Sequence, residues 1–217
     1  MTQPQPCAGG PQVHSAFDPQ VRVLQEKLLS SNWYTLKTTR FELQRRDGSW
    51  QIQDRETYDR GNGATILLYN RSQKTVILTR QFRFPAYVNP RSNASSNASS
   101  NGMMIEACAG LLDLDDPVTC IRRETEEETG YLVKDVRKVF EAYMSPGSVT
   151  ERLFFFVGEY SATDKVSDGG GHAHEGEDIE VLEITLDEAL AQVASGTICD
   201  AKTIMLLQYA KLNSLTT

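Results

Sequence analysis

Cysteine, positive charge and long hydrophobic runs are all scarce in this chain of 217 residues, and each shortage excludes a class of protein. The four cysteines are widely spaced and no pair has metal-ligand spacing, so neither a disulfide framework nor a zinc site is expected. The formal net charge of −7 argues against nucleic acid as the main partner. No apolar stretch is long enough to span a bilayer, and the first residues lack a signal-peptide pattern. We therefore expect a cytoplasmic protein with no membrane and no nucleic-acid partner.

Composition and hydrophobic patterning divide the chain into three parts. Residues 1–16 are rich in Pro, Gly and Gln, which predicts a disordered tail. Residues 17–58 have a strand-like pattern around a hairpin turn at Asp47-Gly48, which predicts a small antiparallel β unit. Residues 59–217 combine further strand-like runs with three helix patterns, which is typical of a layered α/β or α+β domain.

Apolar runs predict the strands of the largest part. They cover Ala64–Tyr69, Thr75–Thr79, Met103–Ala109, Val136–Tyr143, Arg152–Tyr160 and Ile179–Thr185. The first two runs have no polar side, so we expect strands that are covered on both faces. Two helices are predicted near the end of the chain, over 187–195 and 201–213. The low-complexity stretch SNASSNASSN at residues 92–101 predicts a flexible surface insertion without chemistry.

A third helix carries the most informative segment of the chain, RETEEETG at residues 123–130. The N-cap acid Asp116 and the following Pro117 predict where this helix begins, and Gly130 predicts where it ends. The helix follows a short loop from a predicted buried strand. A strand, a loop and a helix with acids at fixed offsets can position a site more firmly than an isolated helix can.

Three glutamates of this helix, Glu124, Glu127 and Glu128, stand at i, i+3 and i+4 and therefore share one face. Their like charges repel, and a divalent cation would reverse the sign of that interaction. Ligands that are all oxygen suit Mg²⁺ or Mn²⁺, which predicts a phosphate-handling metal centre. Arg123 can orient one of these carboxylates. The alternative interpretation is an acidic helix face that is solvated and inert.

The same residues resemble the Nudix box, G-x5-E-x7-R-E-U-x-E-E-x-G-U, in which U is aliphatic. Anchored on Arg123-Glu124, the pattern places Ala109 at the leading glycine, whereas anchoring on Gly110 leaves the loop one residue short. Further blocks resemble the GDP-mannose pyrophosphatase branch of Nudix hydrolases, which is related to the ADP-ribose pyrophosphatases. They are YDRGNGATILLYN, RQFR, EACAGLLD, AYMSPG, EDIEVLEI and DAKT, and together they extend over residues 28–213.

This resemblance implies a fold and an assembly. Residues 59–217 would form a Nudix hydrolase domain, an α/β/α sandwich with a mixed sheet. Residues 17–58 would form a dimerisation unit, because dimers of this family exchange their N-terminal strands. The expected protein is therefore a homodimer in which one subunit completes the site of the other.

The resemblance also implies a metal site that holds Mg²⁺, or alternatively Mn²⁺. Its ligands would be the Ala109 carbonyl, Glu124, Glu128 and Glu177. The catalytic group would comprise Glu177, Glu127 and Arg123. Glu177 would act as general base or as a ligand, and Glu175 is the nearby alternative. His172 and His174 match no family residue, and a His-x-His pair can also bind a transition metal.

The substrate-binding positions implied by the resemblance are spread along the chain. They are Trp33, Arg55, Glu56, Arg83, Ala109, Glu151 and Lys202. Trp33 would stack on the base, while Arg83 and Lys202 would stabilise charge as the bond breaks. Without the resemblance, these residues read as surface charges and a core aromatic. The implied reaction is Mg²⁺-dependent hydrolysis of GDP-mannose to GMP and mannose 1-phosphate. The alternatives are ADP-ribose as substrate, or a Nudix-fold nucleotide-binding module without catalysis.

Overall fold

A computed structural model of the protein describes residues 18–89 and 101–216. The expected disordered tail at 1–16, and all but the last residue of the Ser/Asn-rich insertion, lie outside these residues. The chain separates into two compact units between Tyr58 and Asp59.

The N-terminal unit is a three-stranded antiparallel sheet. Its strands are β1 (Val21–Ser30), β2 (Thr35–Gln44) and β3 (Trp50–Asp59), in that order. The Asp47 carboxylate closes the turn between β2 and β3 by accepting hydrogen bonds from the Ser49 amide and hydroxyl, at 3.0 and 2.6 Å. Gly48 follows with φ +84°, a conformation that glycine adopts without strain. The hairpin predicted at Asp47-Gly48 is therefore present.

The larger unit is built on a seven-stranded mixed sheet. Its strands are β4 (Gly63–Asn70), β5 (Thr75–Phe82), β6 (Met103–Glu106), β7 (Cys108–Leu111), β8 (Val136–Tyr143), β9 (Arg152–Glu159) and β10 (Glu180–Thr185). The main order is β10-β5-β4-β9-β8, with β6 paired to β5 and β7 paired to β4. Strands β4 and β9 are parallel, whereas β5, β7 and β10 make antiparallel pairs. The mixed sheet expected from the sequence is confirmed.

The prediction of one strand over Met103–Ala109 is wrong, because the run breaks at Ala107. The Ala107 amide donates to the Thr203 hydroxyl at 2.7 Å and leaves the strand ladder. On one side of the break, Glu106 pairs with Thr79 of β5. On the other side, Ala109 pairs with Thr65 of β4. The apolar run thus supplies two short strands that pair with different neighbours.

Four α-helices accompany the sheet in the described residues: α1 (Phe84–Val88), α2 (Pro117–Glu124), α3 (Leu186–Ser195) and α4 (Ala201–Leu212). The Asp116 carboxylate caps α2 by accepting from the Val118 and Thr119 amides at 3.0 and 3.2 Å. Helix α2 continues into a π turn, Thr125–Thr129, which ends at Gly130 with φ +76°. The expected start and end of this helix are correct, but its last turn is wider than a regular α-helix. The short helix α1 was not predicted.

The core lies on both faces of the sheet, as the fully apolar strands predicted. Every residue of β4 is buried. On one face, Leu67, Leu78 and Phe155 pack with Leu206 and Leu207 of α4. Side chains that alternate along the strands, among them Ile66, Leu68, Ile77 and Phe156, pack on the other face with Cys120 and Ile121 of α2. This is a sandwich of helices around a sheet. None of the helices in the described part of the chain is long and apolar enough to cross a membrane.

Candidate active site

The π turn at the end of α2 fixes how the acidic run faces the protein. The Thr125 hydroxyl donates to the Ile121 carbonyl and the Thr129 hydroxyl donates to the Thr125 carbonyl, so both threonines are buried against the helix. Between them Glu128 is turned inward and is 2% exposed, whereas Glu126 stays at the surface. Single π turns inside α-helices are frequent at functional sites. The run therefore contains one buried and one exposed glutamate only two positions apart.

Glu128 is a buried acid in an unfavourable electrostatic environment. Its carboxylate accepts a hydrogen bond from the Ala109 amide at 3.3 Å. Burial, together with the negative charges of Glu124 and Glu177, raises the pKa of Glu128 to about 8, although a hydrogen bond from Cys108 and the charge of Arg83 act in the opposite direction. Three carboxylates that the sequence singled out thus act on one another. A cation between them would remove the repulsion.

Gly110 lets Glu124 approach the sheet. A Cβ atom on Gly110 would lie 2.1 Å from the Glu124 carboxyl carbon, so only glycine leaves room for this carboxylate. The sequence left open whether Ala109 or Gly110 begins the box. In the structure, the carboxylate of Glu124 occupies the space beside Gly110, and the amide of Ala109 reaches Glu128.

The Arg123 guanidinium forms short ion pairs with the carboxylates of Glu124 and Glu127. It lies 2.9 Å from a carboxylate oxygen of Glu124 and 3.0 Å from one of Glu127, and it is 3.6 Å from Asp115. A planar guanidinium with several donors suits this bridging position. The structure thus places Arg123 where it can orient the acidic residues on either side of it.

The donors around Glu128 fit a hard divalent cation in their chemistry. Glu124, Glu128 and Glu177 offer only oxygen, and the charges of Glu124 and Glu177 both act to raise the pKa of Glu128. Within residues 18–89 and 101–216, no three His, Cys, Asp or Glu side chains already converge as a metal-binding group.

A glycine-rich loop between β9 and β10 is attached to the end of the acidic helix. The amides of Gly170 and Gly171 donate to the carbonyls of Glu128 and Glu127 at 2.9 and 3.0 Å. The Val166 amide donates to the Gly130 carbonyl at 2.8 Å. These bonds satisfy carbonyl groups that a helix end leaves free. They also carry the following residues back toward the carboxylates.

The attached loop brings Glu177 and His172 to the acidic residues. A carboxylate oxygen of Glu177 accepts from the His172 amide at 2.9 Å, and the His172 Nε2 atom lies 3.3 Å from a carboxylate oxygen of Glu127. The rings of His172 and His174 are 5.1 Å apart. The side chain of Glu175, the alternative to Glu177, lies outside the described residues. His172 matched no expected catalytic position in the sequence, and in the structure its ring lies beside the Glu127 carboxylate.

A second charged cluster centres on Glu106, which sequence reasoning missed. Arg83 makes a forked contact with the Glu106 carboxylate, Nε to Oε1 at 2.9 Å and Nη2 to Oε2 at 3.0 Å. Lys202 Nζ lies 2.5 Å from Glu106 Oε2 and 3.1 Å from Asp200. The structure thus brings together Arg83 and Lys202, two residues expected to bind substrate. The available signal was a single glutamate inside an otherwise apolar run.

The Glu106 cluster stays charged. Burial raises the pKa of Glu106, but the charges of Lys202 and Arg83 outweigh it and hold this pKa at about 2. Burial lowers the pKa of Arg83 and of Lys202, but the charge and hydrogen bond of Glu106, together with the charge of Asp200, raise the pKa of both residues above its usual value. The carboxylates of Glu106 and Asp200 balance the charges of Arg83 and Lys202 within the cluster, and the exposed part of the Arg83 guanidinium is suited to contact an anionic ligand.

Glu151 lies at the start of β9 and is held by residues that precede β4. Arg60 Nε is 3.4 Å from a Glu151 carboxylate oxygen. The neighbouring Thr150 hydroxyl donates to Asp59 at 2.9 Å, and the Arg152 amide donates to the Asn62 side chain at 3.0 Å. These contacts fix the position of Glu151 directly before β9.

The remaining residues expected at the site belong to the N-terminal unit. Trp33 is 80% exposed, and its ring makes an edge contact with Tyr34 at a centroid distance of 6.1 Å. Arg55 donates to the carbonyl of Asp54 at 2.8 Å, and Glu56 is exposed. The role of Trp33, Arg55 and Glu56 in binding stays a prediction.

A layered domain in which the carboxylates of one helix act electrostatically on one another, with Arg83 among the groups near them, has side chains suited to a phosphorylated substrate. The family model described as the NUDIX domain matches residues 59–207. The chain belongs to the Nudix hydrolase family. The model of the GDP-mannose pyrophosphatase NudK N-terminal domain matches residues 20–58.

Several curated relatives are similar along most of their length. The chain is 55% identical over 194 residues to a GDP-mannose pyrophosphatase of Yersinia pestis (strain Pestoides F), covering 89% of this chain and 93% of the relative. A protein of the same name from Klebsiella pneumoniae is 50% identical over 195 residues, covering 90% and 93%. The crystal structure of an ADP compounds hydrolase shares the fold at 14% identity, with a TM-score of 0.64, covering 91% of this chain and 97% of that one.

Proposed function

We propose that this protein hydrolyses the pyrophosphate bond of a nucleoside diphosphate sugar in the presence of Mg²⁺, and that GDP-mannose is the substrate. The products would be GMP and mannose 1-phosphate. The observation that carries the proposal is the pairing of two sets of groups in one unit. Carboxylates whose repulsion favours a cation lie at Glu124, Glu128 and Glu177, and cations suited to a diphosphate lie at Arg83 and Lys202. Relatives that are 50–55% identical and named GDP-mannose pyrophosphatase support the choice of substrate.

The cation would be held by the Ala109 carbonyl, Glu124, Glu128 and Glu177, with Glu127 in support. Bound there, Mg²⁺ would supply charge neutralisation and Lewis-acid polarisation of the phosphoryl oxygens. Mn²⁺ has the same preference for oxygen ligands and is the alternative. Arg123 keeps Glu124 and Glu127 in place through its two short contacts.

The other residues would bind the substrate and move a proton. Arg83 and Lys202 would bind the diphosphate oxygens and stabilise the charge that develops on the leaving phosphate. Glu177 would accept a proton from the attacking water, as general base. A bond then forms between the water oxygen and one phosphorus, and the bridging P–O bond breaks. Glu151, which Arg60 contacts directly before β9, would contact the nucleotide sugar.

The N-terminal unit would complete the site across a homodimer. Its first strand leaves apolar side chains at the surface, with Val23 at 62%, Leu24 at 51% and Leu28 at 56% exposure. An exposed apolar strand of this kind is suited to pairing with another chain. Trp33, Arg55 and Glu56 would then reach the nucleotide bound by the partner subunit. Sedimentation of the purified protein tests this point, since a monomer at micromolar concentration contradicts it.

The substrate is tested with the purified wild-type protein. GDP-mannose and ADP-ribose are each incubated with and without Mg²⁺, and the products are separated by anion-exchange chromatography. We expect GMP and mannose 1-phosphate in equal amounts, faster turnover of GDP-mannose than of ADP-ribose, and loss of activity with EDTA. Faster cleavage of ADP-ribose would contradict GDP-mannose as the substrate, while pyrophosphate hydrolysis would stand as the reaction. Cleavage of neither compound, with tight binding of one, would indicate a binding module.

A further inference from the structure

Glu106 has no role in the reaction proposed above, although its contacts are unusual. It is the last residue of β6, its side chain is 4% exposed, and it contacts two cations that come from distant parts of the chain. Arg83 directly precedes α1, and Lys202 lies in the first turn of α4. We infer that Glu106 is a positioning residue, which holds the Arg83 guanidinium and the Lys202 ammonium in the arrangement that binds the diphosphate. This inference rests on the proposed function.

The contacts of Glu106 set the orientation of the two neighbouring cations as well as the local charge. The fork to Arg83 uses both carboxylate oxygens and both Nε and Nη2, so it fixes the plane of the guanidinium. Arg83 remains 41% exposed, which leaves part of its side chain open to a ligand. Lys202 is only 11% exposed and lies between Glu106 and Asp200. A flexible lysine is thereby confined to one place.

The backbone around Glu106 is itself fixed. The Glu106 carbonyl accepts from the Thr79 hydroxyl at 3.2 Å, and the next amide, that of Ala107, donates to Thr203. Asp200 accepts from both the amide and the hydroxyl of Thr203, at 3.0 and 2.6 Å. The break between β6 and β7 is therefore tied to the start of α4. This connection sets the distance from Glu106 to Lys202.

Positioning and simple charge make opposite predictions for this residue. Glu106 is an anion, and anions near a diphosphate oppose its binding. If charge alone mattered, removing the Glu106 charge would strengthen anion binding. If Glu106 positions the two cations, removing or shortening its side chain lets them move away, and both binding and turnover weaken. The sign of the change therefore separates the two roles.

Two variants test the inference. Glu106→Asp keeps the charge but withdraws the carboxylate by one methylene, and Glu106→Gln keeps the shape but removes the charge. Displacing catalytic groups by about 1 Å costs about 10²-fold in rate, so we expect kcat/KM for GDP-mannose to fall by that amount in Glu106→Asp. The loss should appear in both KM and kcat, because these cations bind the diphosphate and also stabilise the charge of the transition state. Glu183→Asp and Glu183→Gln are the controls, since Glu183 is a hydrogen-bonded glutamate of β10 that contacts Tyr160, and their activity should match the wild type.

The outcomes separate this inference from the proposed function. Wild-type kcat/KM in Glu106→Asp, or higher activity in Glu106→Gln, would overturn the inference while the proposed function stands. If Glu106→Gln does not fold, Glu106→Asp decides. If the wild type cleaves no nucleoside diphosphate sugar, the proposed function fails, and calorimetric binding of inorganic pyrophosphate decides the inference. We expect binding about tenfold weaker in Glu106→Asp, and unchanged or tighter binding would overturn it.

Discussion

Gly110→Ala should lower the activity strongly while leaving the fold intact, because the new methyl group meets a side chain rather than the backbone. The Cβ atom would lie 2.1 Å from the Glu124 carboxyl carbon, 2.3 Å from a carboxylate oxygen and 2.4 Å from Cγ. These atoms form the far end of a flexible side chain, which can swing away at little cost in folding free energy. Gly110 also has no left-handed φ, so alanine fits its backbone.

The size of the effect follows from that distance. Glu124 must retreat by about 1.3 Å for its carboxyl carbon to reach an ordinary contact of 3.4 Å. A displacement of that order costs about 10²-fold in rate, or about 2.7 kcal/mol in activation free energy. The unfolding free energy should change by less than about 1 kcal/mol, since alanine at a compatible position also restricts the unfolded chain.

Steady-state hydrolysis of GDP-mannose and urea unfolding, measured on the same preparations, test this prediction. Gly147→Ala is the matched control, because a Cβ atom on Gly147 has nothing within 4 Å. Wild-type kcat/KM in Gly110→Ala would contradict the proposed role of the Glu124 carboxylate. A loss of activity with an equally large loss of stability would also refute it, since the defect would then lie in the fold.

Three further predictions concern stability. Mg²⁺ at 100 times its dissociation constant should stabilise the wild type by about 2.7 kcal/mol and Glu128→Gln hardly at all, as thermal melts with and without the ion will show; equal shifts would contradict the assignment of Glu128. The depressed pKa of Glu106, about 2 in the folded protein against an ordinary 4.5, means that its stabilisation is present above pH 4.5 and is lost as the pH falls toward 2. The unfolding free energy that separates wild type from Glu106→Gln, measured with urea, should therefore shrink over that window, and a constant difference would argue against the ion pairs. Gly169→Ala should cost about 1–3 kcal/mol more than Gly176→Ala, because both have positive φ but only the first would place a Cβ 2.5 Å from the Glu128 carbonyl oxygen; equal costs would show that the loop is not held there.

Much of the fold could be predicted because its signals are local. The apolar runs of β4 and β9 predict buried strands from their own residues alone. Asp116 and Gly130 mark the two ends of the acidic helix through capping chemistry within a few residues. The mixed sheet between helices was expected from the resemblance, and the structure confirms it.

Other features depend on partners far away in the chain. The break at Ala107 arises from a hydroxyl 96 residues further on, and no pattern within the run Met103–Ala109 announces it. The π turn of Thr125–Thr129 uses the same residue types as an α-helix, so helix signals do not separate the two. Helix α1 begins beside Pro85, and its five residues are too few to show a period.

In the candidate site, too, some residues could be predicted from local signals and others depend on distant partners. The carboxylates of the acidic run could be found because their spacing repeats within one helix. Glu106 could not, because its importance appears only when Arg83 and Lys202 meet it from either side. His172 was likewise unassigned until the loop placed its ring against Glu127.

The most direct test of the whole account compares two neighbouring glutamates. GMP release from GDP-mannose is measured at saturating Mg²⁺ for the wild type, Glu128→Gln and Glu126→Gln. Glu128 is buried among the carboxylates, whereas Glu126 is exposed on the same helix, so the two substitutions are chemically identical. We expect Glu126→Gln to match the wild type and Glu128→Gln to lose at least about 10²-fold. Equal activity in the two variants would contradict the assignment of the acidic helix as the catalytic centre.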